Sequence, residues 1–200
     1  ILFAASALSS QAQFNVDSIS DQTSAVEELF LANGIFVNNI SFIGGSAQLG
    51  WLTDGDAVSL GINEGLVLST GLATSVSNGN NMAGGNWITP MNLDLYALSG
   101  FPTYDLAQLD FDFVATGDSM TFQFVFGSTE YPEWVGSSFN DIFGFFVNGP
   151  GISGPFNNGA VNIALVPGTN EVVSINSINS TTNSNLFIDN ASMSIPNFYC

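Results

Sequence analysis

Hydrophobic and polar positions alternate with period two along LDFDFVA (109–115): Leu109, Phe111 and Phe113 fall on one side, Asp110 and Asp112 on the other. MTFQFVFG (120–127) repeats the pattern, with Phe122, Phe124 and Phe126 in phase. Thr116-Gly117-Asp118 lies between the two runs and predicts a hairpin. Further strands are predicted over IFVNNISFIG (35–44), GLVLSTG (65–71, buried between glycines), DIFGFFVNG (141–149) and NIALVPG (162–168). EVVSINSIN (171–179), LFIDN (186–190) and MSIPNFY (193–199) complete the set. The period changes in DQTSAVEELFLANG (21–34), where Val26, Leu29, Phe30 and the less well placed Leu31 form the apolar face of a short helix. Thr23 or Ser24 can cap it and Gly34 can stop it. MNLDLYALSG (91–100) suggests a short turn of helix, and SVSNGNNMAGGNW (75–87) a long polar loop with turns at Asn78-Gly79 and Gly84-Gly85. Short strands separated by Gly, Pro and Asn turns predict an all-β fold, a jelly-roll-like β-sandwich with one short N-terminal helix. No internal repeat and no clear linker divides the chain.

Composition sharpens this. Hydrophobic residues make up 46% of the 200 positions, with 18 Phe, so a sizeable core is available. The chain has no Lys, no Arg and no His against 17 acids. Nucleic-acid binding lacks its cations. A Schiff-base lysine, a histidine general base, a Walker lysine, a Ser-His-Asp triad and a His/Cys zinc site are all excluded within these residues. Carboxylate, amide, hydroxyl and carbonyl oxygens remain, the ligand set of hard cations such as Ca²⁺. For most of the 17 acids, plain surface solvation is the simpler reading.

ILFAASALSSQAQ opens the chain, apolar and then small and polar. It reads as the end of a secretory signal peptide over 1–12, with Ser10 and Ala12 at the −3 and −1 positions, or else as a first strand. A single domain is then expected over 13–200. The apolar run is too short to span a membrane as a helix. Export fits the lone Cys200, whose disulfide partner would lie outside this sequence.

The chemistry concentrates in FGSTEYPEWVGSSFNDIFGFFVNG (126–149), where Glu130, Glu133 and Asp141 sit among seven aromatic residues. An unpaired carboxylate costs several kcal/mol to bury, and no cation is present to pair with it. Both faces of DIFGFFVNG are largely apolar, which predicts a central strand with Asp141 at its start. Pro132 and Gly136 would fold the preceding loop back onto that strand end. Glu130, Glu133 and Asp141, with Asn140, are therefore candidate ligands for one Ca²⁺. They could equally be fasteners that accept backbone N–H groups, or simply surface acids. Tyr131 and Trp134 are a candidate glycan-stacking platform, or else core and loop anchors. Asp54-Gly55-Asp56 reads as a glycine turn rather than a metal loop, and the sequons at Asn39, Asn179 and Asn190 as chance.

The run TYDLAQLDFDFVATGDSMTFQFVFGSTEYPEWVGSSFNDIFGFFVNGPGISGP (103–155) resembles the choice-of-anchor L domain of bacterial surface proteins. NIALVPGTNEVVSINSIN (162–179) continues the match, and LFLANGIFVNNISFIGG and INEGLVLSTG extend it upstream, for roughly residues 25–190 in all. Thr129 departs from the acid that the family more often carries there, and the family usually continues into a further strand, so a truncated C-terminus is expected. The resemblance implies an N-terminal module of a large secreted protein. In the family, varied anchors or sorting signals follow, including those of the type IX secretion system in Bacteroidota.

The expectation is a secreted, non-enzymatic cell-surface module for adhesion or extracellular assembly. Its partners would be other surface proteins or extracellular glycans, with no nucleic acid and no membrane insertion. Two alternatives stand beside it. One is a filament subunit that pairs an exposed edge strand with a neighbour. The other is a glycoside hydrolase using Glu133 and Asp141, because Glu130 and Glu133 lie too close on one loop to flank a bond.

Overall fold

A computed structural model describes residues 14–77 and 87–189. Residues 1–13, which include the expected signal peptide, residues 78–86 of the expected polar loop, the strand expected over 193–199, the Asn190 sequon and Cys200 lie outside the described residues. In chain order the elements are β1 (Asn15–Ser18), α1 (Gln22–Ala32), β2 (Phe36–Ile43), β3 (Leu49–Thr53), β4 (Gly65–Leu68) and α2 (Leu93–Ser99). Then follow β5 (Gln108–Val114), β6 (Ile142–Phe143), β7 (Phe146–Val147), β8 (Val161–Asn162) and β9 (Val173–Ser174). All strand pairs are antiparallel: a three-stranded sheet ordered β1-β3-β4, and the pairs β2-β5, β6-β9 and β7-β8. The fold is all-β with two short helices. Its ladders do not extend far enough to define the two facing sheets of a sandwich. No helix among the described residues is long and apolar enough to cross a membrane.

The first helix forms where expected, but Asp21 caps it, not Thr23 or Ser24. The Asp21 carboxylate accepts from the Ser24 N–H at 3.1 Å and from the Ser24 hydroxyl at 2.8 Å. Those two bonds, the side-chain one first, hold the Asp21 carboxyl below its usual range. Val26 is buried, whereas Leu31 is exposed. Phe30 carries the helix onto β5, with its ring 4.6 Å from Phe111.

The alternation in β5 survives: Leu109, Phe111 and Phe113 turn inward, Asp110 and Asp112 outward. The hairpin does not. β5 pairs with β2, from Phe36↔Val114 to Ile43↔Gln108, with a bulge between Asn38 and Ser41. Residues 119–128 lie outside any ladder. Their phenylalanines meet the alternation in part: Phe122 and Phe126 are half-buried, whereas Phe124 is exposed. Phe122 lies 6.4 Å from Phe113 and 4.8 Å from Phe145, and Phe124 lies 4.8 Å from Phe143. This aromatic chain joins α1 and β5 to the 141–147 segment, and so positions the site described below.

A second core lies under the three-stranded sheet. Phe14, Val16, Leu52, Val58 and Ala73 are buried together. Gly50 of β3 is required there, because a Cβ would sit 2.7 Å from Val16 Cγ1 and 2.9 Å from the Ala73 Cβ. β4 is half-buried and ends in an exposed Leu68, so 65–71 is not the buried strand its composition suggests. The 186–189 run is a turn and its exit rather than a strand. Asp54 adopts a left-handed φ of 62° at the start of a short 3-10 turn (Gly55–Val58). The Asp54-Gly55-Asp56 turn is thus structural.

Candidate functional site

The DIFGFFVNG segment is half-buried from Asp141 to Val147 and has a partner at each end. β6 pairs with β9, and β7 pairs with β8. Gly144 and Phe145 interrupt what the sequence reads as one strand. Asp141 stands at its start, as expected, and its carbonyl accepts from the Ile175 N–H at 3.2 Å.

The loop from Ser128 to Asn140 is clamped onto this strand end. The Ser128 hydroxyl donates to Asp141 Oδ2 at 2.6 Å and accepts from the Glu130 N–H at 2.9 Å. One buried hydroxyl thereby ties the loop's entry to the strand, through a bond made stronger by the carboxylate's charge. Asn140 Oδ1 accepts from the Asn176 N–H at 3.1 Å. The Asn176 side chain returns the contact twice, accepting from the Gly136 N–H and donating to the Ser137 carbonyl. Gly136 takes a φ of +81°, which a residue with a Cβ adopts only under strain, and so the loop turns back. Tyr131 precedes a cis peptide to Pro132. Its hydroxyl donates to the Ile178 carbonyl and its ring packs 5.0 Å from Phe187.

The acids take different places. Asp141 is engaged by Ser128, Glu133 is exposed, and Glu130 is partly buried. Burial pushes the Glu130 carboxyl above its usual range, with the charges of Asp141 and then Glu133 adding to the effect. The charges of Asp141 and Glu133 therefore reach Glu130. Yet among the described residues no group of three His, Cys, Asp or Glu side chains is arranged to hold a metal ion. The fastening that the structure contains is made of hydrogen bonds.

The Glu130 shift carries a pH prediction. The folded state binds this proton more tightly than the unfolded chain, so stability falls as pH rises above the ordinary value of 4.5. Glu130→Gln should be more stable than the parent at neutral pH, and the difference should vanish below that value. Chemical unfolding of both proteins across the acidic range checks it; superimposable pH profiles would remove Glu130 from the account.

The aromatic residues also separate. Tyr131 is only 2% exposed and serves as an anchor, so it offers no ring for stacking. Trp134 is 45% exposed and lies 4.7 Å from Phe139, which is 60% exposed. The rings are tilted by 59°. The exposed pair of the loop is therefore Trp134 with Phe139.

Sequence reasoning missed Ser128, Asn176 and Phe139. Ser128 had a local signal, a Ser two residues ahead of Glu130 in a turn. Asn176 had none, because it lies 36 to 40 positions from the groups it holds. The Asn179 sequon is structural. Its buried side chain accepts from the N–H groups of Thr181 and Thr182 and donates to the carbonyls of Ile175 and Asn176.

Residues 14–199 match the family described as Choice-of-anchor L domain. No curated protein and no solved structure matches the chain.

Proposed function

Because the chain belongs to the Choice-of-anchor L domain family, a family of cell-surface modules and not one of known enzymes, we propose that it is a non-catalytic recognition module of a secreted protein. It serves adhesion or extracellular assembly by binding glycans. The observation that carries this reading is the exposed Trp134–Phe139 pair, held out on a loop that the Ser128–Asp141 and Asn140–Asn176 contacts clamp to a two-sided strand. A clamped loop presents its rings at low entropic cost, the condition under which a few aromatic contacts suffice for binding. The net charge of −17 disfavours acidic polysaccharides and points to neutral ones.

Catalysis by carboxylates finds little support. Glycoside hydrolysis needs two acids that face each other across a bound sugar. Here Asp141 is spoken for by Ser128, and Glu133 stands exposed on the loop. The loop's order is assigned to its hydrogen bonds.

Immobilised neutral oligosaccharides test the reading. The protein should bind a subset of them, and Trp134→Ala should bind about tenfold more weakly. The unfolding midpoint should barely move, because the ring is half exposed. Undiminished binding by the variant would discard the platform, and release of reducing sugar would overturn the non-catalytic reading.

A further inference from the structure

A second surface feature lies apart from this loop in sequence and plays no part in the proposal above. Where the chain enters α2, an open groove of about 410 Å³ runs between the ends of β2 and β5. Ile43, Met91, Leu93 and Leu106 supply its apolar lining, and the first three are exposed. Asn92, Asp94 and Gln108 supply polar lining. Both amides are engaged within the protein. Asn92 Nδ2 donates to Gln108 Oε1 at 2.7 Å, and Asn92 Oδ1 accepts from the Asp94 and Leu95 N–H groups. Gln108 Nε2 donates to both carboxylate oxygens of Asp110.

The groove is therefore an apolar floor with one carboxylate in its lining, that of Asp94, in a chain with no cation to neutralise it. The Asp94 carboxylate accepts a single backbone N–H, that of Asn157. An anion is repelled from such a place. A second copy of this chain brings the same −17 and no cation of its own. A neutral apolar group would fill the floor and leave the Asp94 charge without a counter-charge. The chemistry that complements both parts is an apolar side chain followed closely by Lys or Arg, whose long stem can lie on apolar surface while its charge reaches the carboxylate. We propose that this groove docks an extended segment of a partner protein in which apolar and basic side chains alternate.

The groove contains a built-in reporter, Met91, and the chain has only three other methionines. Methyl-labelled protein would be titrated with a short peptide alternating leucine and lysine, and with serine–lysine and leucine–glutamate counterparts. The leucine–lysine peptide should shift the Met91 methyl resonance and leave that of Met120 in place, and binding should weaken as salt is raised. Leu93→Asp should weaken binding at least tenfold and Asp94→Asn about threefold. Both positions lie at the surface, so unchanged melting curves would confirm that each variant is folded. An unmoved Met91 overturns the proposal. So does an equal shift with the serine–lysine peptide, which would mean that charge alone attracts it. An equal shift with the leucine–glutamate peptide would overturn it as well, since Asp94 would then have no role.

Discussion

Replacing Gln48 by leucine is expected to destabilise the fold by about 3–5 kcal/mol. Gln48 is fully buried, at 0% exposure. Its Nε2 donates to the Ser69 and Asp105 carbonyls, both at 3.0 Å, and its Oε1 accepts from the Gly45 N–H at 2.6 Å. Each partner marks a joint: Gly45 follows β2, Ser69 follows β4 and Asp105 precedes β5. The amide thus ties the β2-β5 pair to the three-stranded sheet. Leucine has a similar size, so the loss is one of polar partners, with little cavity. It strands two carbonyls and one N–H with little access to water, each worth about 1–3 kcal/mol. Equilibrium urea unfolding should show a lower midpoint at an unchanged slope. A loss below about 1 kcal/mol would show that the two sheets are held together by other contacts.

Phe14→Ala is expected to have an effect of similar size, about 3–5 kcal/mol, for a different reason. Phe14 is buried against Val16, Leu52, Val58 and Ala73. The close approach of Gly50 to Val16 and Ala73 leaves the sheet little freedom to collapse into the space of a lost ring. The cavity contribution should therefore be large, and Phe14→Leu should recover much of the loss. Thermal unfolding compared across the two variants decides it. Equal destabilisation by leucine and alanine would mean that ring shape, and not filled volume, matters there.

The residues made some of this legible and hid the rest. The alternation in 109–115 located β5 and its inward face, because a period of two is a local property. It could not name the partner, since the turn residues at 116–118 favour a hairpin and only tertiary packing selects β2 instead. Phe122 and Phe124 nevertheless pack their rings against Phe145 and Phe143, although Phe124 stays exposed, so the apolar pattern outlasts the loss of the ladder in part. In the site, Asp141 at the head of a two-sided strand and the returning loop were both readable from apolar content and from Gly136. The clamp was not. Asn140 was suspected, but its partner Asn176 comes from a distant turn after β9, and no spacing rule connects them. Tyr131 and Trp134 look alike in sequence; contacts from distant parts of the chain, among them the Tyr131 bond to the Ile178 carbonyl 47 residues away and its ring packing on Phe187, bury the one, while the other is exposed.

The central claim is that hydrogen bonds alone, without a bound ion, hold the Ser128–Asn140 loop and its exposed aromatic pair in place. Amide hydrogen exchange measured with a chelator and again with added Ca²⁺ tests it most directly. The N–H groups of Glu130, Gly136 and Asn176 each donate to a side-chain oxygen of the clamp. The account predicts that all three exchange slowly in the chelator and that Ca²⁺ changes nothing. Exchange at the rate of free chain in the chelator, slowed only when Ca²⁺ is added, would contradict it and make Glu130, Glu133 and Asp141 the ligands of a metal-built loop.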